Sequence, residues 1–146
     1  MADYRLMDHT ADVGIEWEAR SLPGLFEKGA AAFADLLAGA EGASGTEVSR
    51  TFAVEGIDLP DLVVRFFQEL LYLFETKREL LPDVHVGKIE PGSSGSKASL
   101  AARASGRKFD LARDHAATVI KAVTYHRLSV EQMPGGGWRA AVLFDI

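Results

Sequence analysis

Residues 58–80 read "DLPDLVVRFFQELLYLFETKREL", and the class of fold turns on them. Leu62, Val63, Phe66, Phe67, Leu70, Leu73 and Phe74 recur at the three- and four-residue spacing that lines one side of an α-helix. The stripe is wide, so this helix lies against a core. Asp58 or Asp61 is the expected cap, because a short carboxylate accepts from the free N–H groups of a first turn. Pro82 is expected to end the helix.

Upstream, "SLPGLFEKGAAAFADLLAG" (21–39) predicts a second helix, with Ser21 as N-cap, Pro23 in the first turn and Gly39 as a stop. "VGIEWEA" (13–19) alternates Ile15, Trp17 and Ala19 against Glu16 and Glu18, the pattern of a half-buried strand. "VSRTFAVEGI" (48–57) reads as another. Downstream, "VHVGKIE" (84–90) and "KASLAARASGR" (97–107) flank "PGSSGS", a hairpin composition. "VIKAVTYHRLSVE" (119–131) and "WRAAVLFDI" (138–146) are strands around the turn "MPGGG". The order β-α-β-α-β-β-β-β predicts a single α+β domain over residues 1–146. Its mixed or largely antiparallel sheet carries two helices on one face.

Composition narrows the function classes. Of 146 residues, 47% are hydrophobic, enough for a sizeable core. Lys plus Arg total 16 against 21 Asp plus Glu, a net charge of −5, which disfavours gripping nucleic acid by bulk electrostatics. Cysteine is absent, so disulfides, thiolate metal sites and cysteine nucleophiles are excluded. The N-terminus lacks the layout of a secretory signal, and no run approaches the ~20 apolar residues of a membrane span. A cytoplasmic protein without a membrane partner is expected.

"MDHTADVG" (7–14) concentrates Asp8, His9, Thr10 and Asp12. Hard cations take oxygen ligands, about 6 to 8 for calcium, more than one short turn supplies. By itself the stretch reads as a hydrogen-bonded turn. At the other end of the chain, alternation in "WRAAVLFDI" puts Asp145 on the face of Arg139, Ala141 and Leu143, opposite Phe144 and Ile146. The α-carboxylate of Ile146 follows immediately. Were the two ends adjacent, Asp12, Asp145 and that carboxylate would repel one another unless protonated or bridged by a cation.

In residues 119–131, alternation puts Ile120, Ala122, Thr124, His126, Leu128 and Val130 on one face and Val119, Lys121, Val123, Tyr125 and Arg127 on the other. Lys121 reads as a snorkelling surface lysine or as a partner for phosphate or for the acidic cluster. His9, His115 and His126 lack the spacing of a zinc set. No G-x-S-x-G, P-loop or G-x-G-x-x-G is present.

Four segments together, "DHTADVGIEWEA", "LLYLFETK", "IKAVTYHRLSVE" and "GGWRAAVLFDI", resemble the archease family in order and spacing, from about residue 4 to residue 146. The resemblance implies a small α+β fold and a role as an accessory protein rather than an enzyme. The implied partner is the catalytic subunit of the tRNA-splicing RNA ligase, which joins cyclic-phosphate or 3′-phosphate RNA ends to 5′-hydroxyl ends using GTP and manganese. The accessory protein promotes guanylylation of a ligase histidine and allows multiple turnover; RNA and GTP are reached through the ligase. The family's calcium site, which other divalent cations could also fill, matches Asp12, Asp145 and Ile146. The lysine of I-K-A-V-T-Y-H matches Lys121, the candidate functional residue beside it.

The chain departs from the family pattern in "RFFQELL" and in "GRKFDLARDH" (106–115), where Asp114 and His115 compete for one histidine position. Two further readings stand beside the activator. One is a chaperone-like binding module for nucleic-acid-modifying proteins. The other is a metal-dependent phosphoester hydrolase using the same carboxylates.

Overall fold

A computed structural model describes residues 3–8, 12–39, 45–110, 114 and 117–146. The elements run β1 (Arg5–Asp8), β2 (Asp12–Ala19), α1 (Leu22–Ala38), β3 (Val48–Gly56), α2 (Leu59–Lys77), β4 (Glu79–Glu90), β5 (Ala98–Lys108), β6 (Ala122–Gln132) and β7 (Trp138–Asp145). Every pairing between these strands is antiparallel. The α+β class is as the sequence predicts, but the strands divide into two sheets, ordered β1-β2-β7-β6 and β3-β5-β4. At the outer edge of β4, α1 packs alongside, and Glu27 Oε2 accepts from Val86 N at 2.9 Å. Each helix packs against strands of both sheets, so the helical pair is shared rather than laid on one face.

Local chemistry sets the helix ends. Ser21 Oγ accepts from Gly24 N at 3.1 Å, and Gly39 closes α1 with φ 80 and a bond to Asp35 O. Asp58 Oδ1 accepts from Asp61 N, while Asp61 Oδ2 accepts from Ile57 N, both at 2.9 Å. Two acids thus satisfy N-terminal donors reciprocally, as in a capping box. Pro82 does not end this helix. Arg78, left-handed at φ 56, is its C-cap, and Pro82 lies inside β4. The ladder slips between Leu80 and Asp83, which is where a sheet tolerates a residue lacking an N–H. Gly106 on β5 makes room for that slip; a Cβ there would collide with the Leu80 carbonyl oxygen.

Between the sheets lies an aromatic core. Phe67 of α2 meets Trp17 of β2 at 5.7 Å, Phe33 of α1 at 5.4 Å and Phe144 of β7 at 5.5 Å between ring centroids. Gly29 lets Trp17 lie against α1, since a Cβ there would sit 2.8 Å from its ring. The Trp17 indole N–H donates to Leu25 O at 2.8 Å. A partly buried ion pair accompanies this core. Glu79, 5% exposed, receives Arg50 through both oxygens, Nη2 at 2.9 Å, with Lys108 Nζ 3.8 Å away. Among the described residues no helix is long and apolar enough to cross a membrane.

Candidate functional site

β2 and β7 pair without interruption from Ala19 opposite Trp138 to Asp12 opposite Asp145. Directly opposed residues of antiparallel strands share a face, with Cβ atoms about 4.5–5.5 Å apart. This outer face follows a charge rule along most of its length. Glu18 meets Arg139 at 2.9 Å, and Glu16 meets Arg5 of β1 at 3.5 Å. Next come Gly14, Met7 and Leu143; a Cβ on Gly14 would lie 2.5 Å from Leu143 Cδ2 and 2.6 Å from Met7 Cε. The glycine therefore lets both side chains close over the strand, and Leu143 is fully buried on the side away from the aromatic core. At the end of the row stand two acids facing each other, Asp12 and Asp145.

Phe144 positions this end. It is fully buried, with its ring 5.2 Å from Phe33 and 5.5 Å from Phe67, so its neighbour Asp145 is turned outward on a fixed strand. Asp145 is exposed, Asp12 is half-buried, and the Oδ1 atom of Asp12 is buried. On the other side of β7, Ala122 opposes Asp145, and Lys121 N donates to Asp145 O at 2.8 Å. Lys121 is exposed and one residue out of phase with Ala122, so alternation directs its side chain to the face opposite the two carboxylates. Ile146 is exposed directly after Asp145. Three of the four residues singled out in the sequence thus meet where the two central strands end, at a rim of the sheet that forms an acidic edge, and Lys121 joins them through the backbone.

The donor chemistry is all oxygen, which suits a hard cation. Among the described residues no three His, Asp or Glu side chains gather as a metal cluster. Ile146, which the resemblance adds to the set through its main-chain carboxylate, is exposed beside Asp145. His9, Thr10 and His115 lie outside the described residues, and so does the turn ahead of Asp12. Asp114 is engaged locally: its Oδ2 accepts from Asp110 N at 2.7 Å and meets Arg107 Nη1 at 3.1 Å.

Sequence alternation misassigned the faces of β6. Thr124 opposes Leu143 but Ser129 opposes Ala141, so β6 advances five residues while β7 advances two. Three extra residues flip the phase. Val123 and Val130 oppose Phe144 and Ala140, which both belong to the core, so they share the inner face that alternation denied them. Within the bulge Arg127 is left-handed at φ 56, and Tyr125, His126 and Arg127 are exposed.

One pairing escaped the sequence. Tyr125 Oη donates to Asp61 Oδ1 at 2.6 Å, and Arg65 Nε stands 3.5 Å from the same oxygen. Burial works to raise the Asp61 pKa, but the Tyr125 hydroxyl, the Ile57 amide and Arg65 outweigh it and hold the carboxyl below its ordinary value. Tyr125 is shifted up, chiefly by its bond to Asp61. The capping pattern had pointed to Asp61; nothing local in the sequence points to its tyrosine.

Comparison with known proteins agrees with this architecture. Residues 4–146 match the model of the Archease protein family (MTH1598/TM1083), and the chain belongs to that family. It is 37% identical to the archease of Pyrococcus abyssi over 95% of each chain. It is 34% identical to that of Pyrococcus furiosus over the full length of both. The solution structure of Methanobacterium thermoautotrophicum protein 1598 superposes with a TM-score of 0.77 over 98% of each chain at 22% identity, a likeness of fold.

Proposed function

We propose that this chain is an accessory protein that activates the GTP-dependent tRNA-splicing RNA ligase in the cytoplasm, using a calcium-type site at the Asp12–Asp145 edge. Membership of the archease family supports the class of role. The observation that carries the site is the direct opposition of Asp12 and Asp145 on a face whose other opposed charges are of unlike sign. Like charges directly opposite destabilise a sheet, and a divalent cation reverses that cost. With the Ile146 carboxylate the set supplies fewer than calcium's ~6 to 8 oxygens, leaving positions for water or for groups of a partner.

Guanylylation of the ligase builds negative charge at the nucleotide α-phosphate as pyrophosphate leaves, and a cation held by Asp12 and Asp145 would supply positive charge of the kind that offsets it. The residues of this chain contribute placement. β7 carries Asp145 on a strand fixed by Phe144, β2 brings Asp12 into register, and Lys121 N bonds Asp145 O while its exposed side chain stands on the opposite face. Net charge −5 suits docking on a basic RNA-binding enzyme.

The test is ligase guanylylation with and without this protein, repeated with Asp12→Ala and Asp145→Ala. Loss of stimulation by folded variants is the expected result; full stimulation by both would falsify the site. Turnover of phosphoesters by this protein alone, with metal, would favour a hydrolase. Stimulation that survives calcium removal and loss of Asp145 would favour a chaperone-like module.

A further inference from the structure

Only a short piece of β6 adjoins the acidic edge. Ala122, Val123 and Thr124 pair with Asp145, Phe144 and Leu143, and Lys121 N bonds Asp145 O. The ladder then breaks until Ser129. Four residues, 125–128, are unpaired there, so the ladder of Ser129–Gln132 is separated from that of Ala122–Thr124 and gives it little direct support. Another anchor sits at the break. Tyr125, immediately after Thr124, has a half-exposed ring whose hydroxyl reaches Asp61 Oδ1 at 2.6 Å. Asp61 is a rigid post: it is 7% exposed, its N–H is held by Asp58 and its Oδ2 by the Ile57 amide. α2, on which it stands, is pinned through Phe66 and Phe67 in the core.

We infer that the Tyr125–Asp61 hydrogen bond is a latch that positions the Lys121–Thr124 segment against Asp145, making Tyr125 a positioning residue for the acidic edge. The latch ties the N-terminus of α2 to the point where β6 loses its own ladder. Its consequence for cation binding rests on the function proposed above; its mechanical part does not. Along a strand the ~3.3 Å rise per residue puts Tyr125 about 10 Å from the residue opposite Asp145, so the tyrosine acts through the backbone rather than as a ligand.

The experiment uses the full chain and Tyr125→Phe, which removes only the hydroxyl from a half-exposed ring. Amide hydrogen exchange is followed at Lys121–Thr124, with Ser129–Gln132 and α2 as internal references, and calcium is titrated into both proteins. The latch predicts exchange roughly five- to tenfold faster at Lys121–Thr124 alone, the scale of one lost hydrogen bond, with weaker calcium binding. Faster exchange there, in a protein whose wild type binds no calcium, would uphold the latch and remove the cation site. Unchanged exchange at Lys121–Thr124, or acceleration spread evenly over β6 and α2, would overturn it.

Discussion

Asp12 and Asp145 stand opposite each other on adjacent antiparallel strands, at the end of a row that otherwise opposes Arg5 to Glu16 and Glu18 to Arg139. Their repulsion makes stability depend on what lies between them. In chelator, Asp145→Asn is expected to stabilise the protein by about 0.2–1 kcal/mol, the scale of a like-charge pair across a sheet. In excess calcium the order should reverse, because only the wild type gains binding energy. Urea midpoints in the two buffers check this; an Asp145→Asn midpoint below wild type in chelator removes the repulsion.

The main-chain carboxylate after Ile146 is testable without touching a side chain. Two extra residues beyond Ile146 displace that carboxylate and leave the exposed isoleucine in place. Calorimetric titration should show calcium affinity falling severalfold. Equal affinity would take Ile146 out of the ligand set.

Phe144 is fully buried between Phe33 and Phe67. Phe144→Ala is expected to cost about 3–5 kcal/mol, as for a large aromatic removed from a close-packed core. Phe144→Leu should cost less and still loosen Asp145, so calcium affinity should drop more than its denaturant midpoint implies. A variant with reduced stability and unchanged affinity would show that the site is held by something other than this anchor.

Acid sensitivity has a definite address in Glu79. Its hydrogen bonds to Arg50 pull the pKa down; burial opposes them, and the charges of Arg50, Lys108 and Lys77 reinforce them. Because the folded pKa is depressed, the pair stabilises the protein above the unfolded value near 4.5 and ceases to do so as pH falls through the folded pKa. Arg50→Ala leaves a buried carboxylate with Lys108 at 3.8 Å. The cost should be about 2 kcal/mol at neutral pH, below the ~3–5 kcal/mol of a wholly buried pair because Arg50 is one-third exposed. The gap between variant and wild type should shrink as pH falls below the unfolded value near 4.5 and close once pH has passed through the lower folded pKa, measured by denaturation across pH.

What the sequence made legible follows the range of the physics involved. Both helices were readable, since Ser21, Pro23, Gly39 and Asp58 act within one turn of their own positions. Pro82 misled because a proline ends a helix or marks a strand irregularity equally well, and Arg78 in a left-handed conformation had already done the ending. Strand β1 passed unnoticed: four residues, Arg5 to Asp8, are too short to show a period. The faces of β6 were misread because a bulge changes phase without changing composition. Asp12 and Asp145 lie at opposite ends of the chain, so their meeting is invisible to spacing; the family resemblance supplied the pairing that β2 and β7 realise. The same distance in sequence hid Tyr125 from Asp61.

The bulge in β6 has a consequence for the protein's behaviour in a crowded solution. β6 and β1 are the two edges of their sheet, and an open edge invites another chain to add a strand. β1 offers only four residues, and β6 is broken in its middle by four unpaired residues with left-handed Arg127 among them. Neither edge presents a long straight row of free donors and acceptors. Trimming the three extra residues to straighten β6 would therefore lengthen its ladder and, at the same time, leave a surface prone to edge-to-edge aggregation.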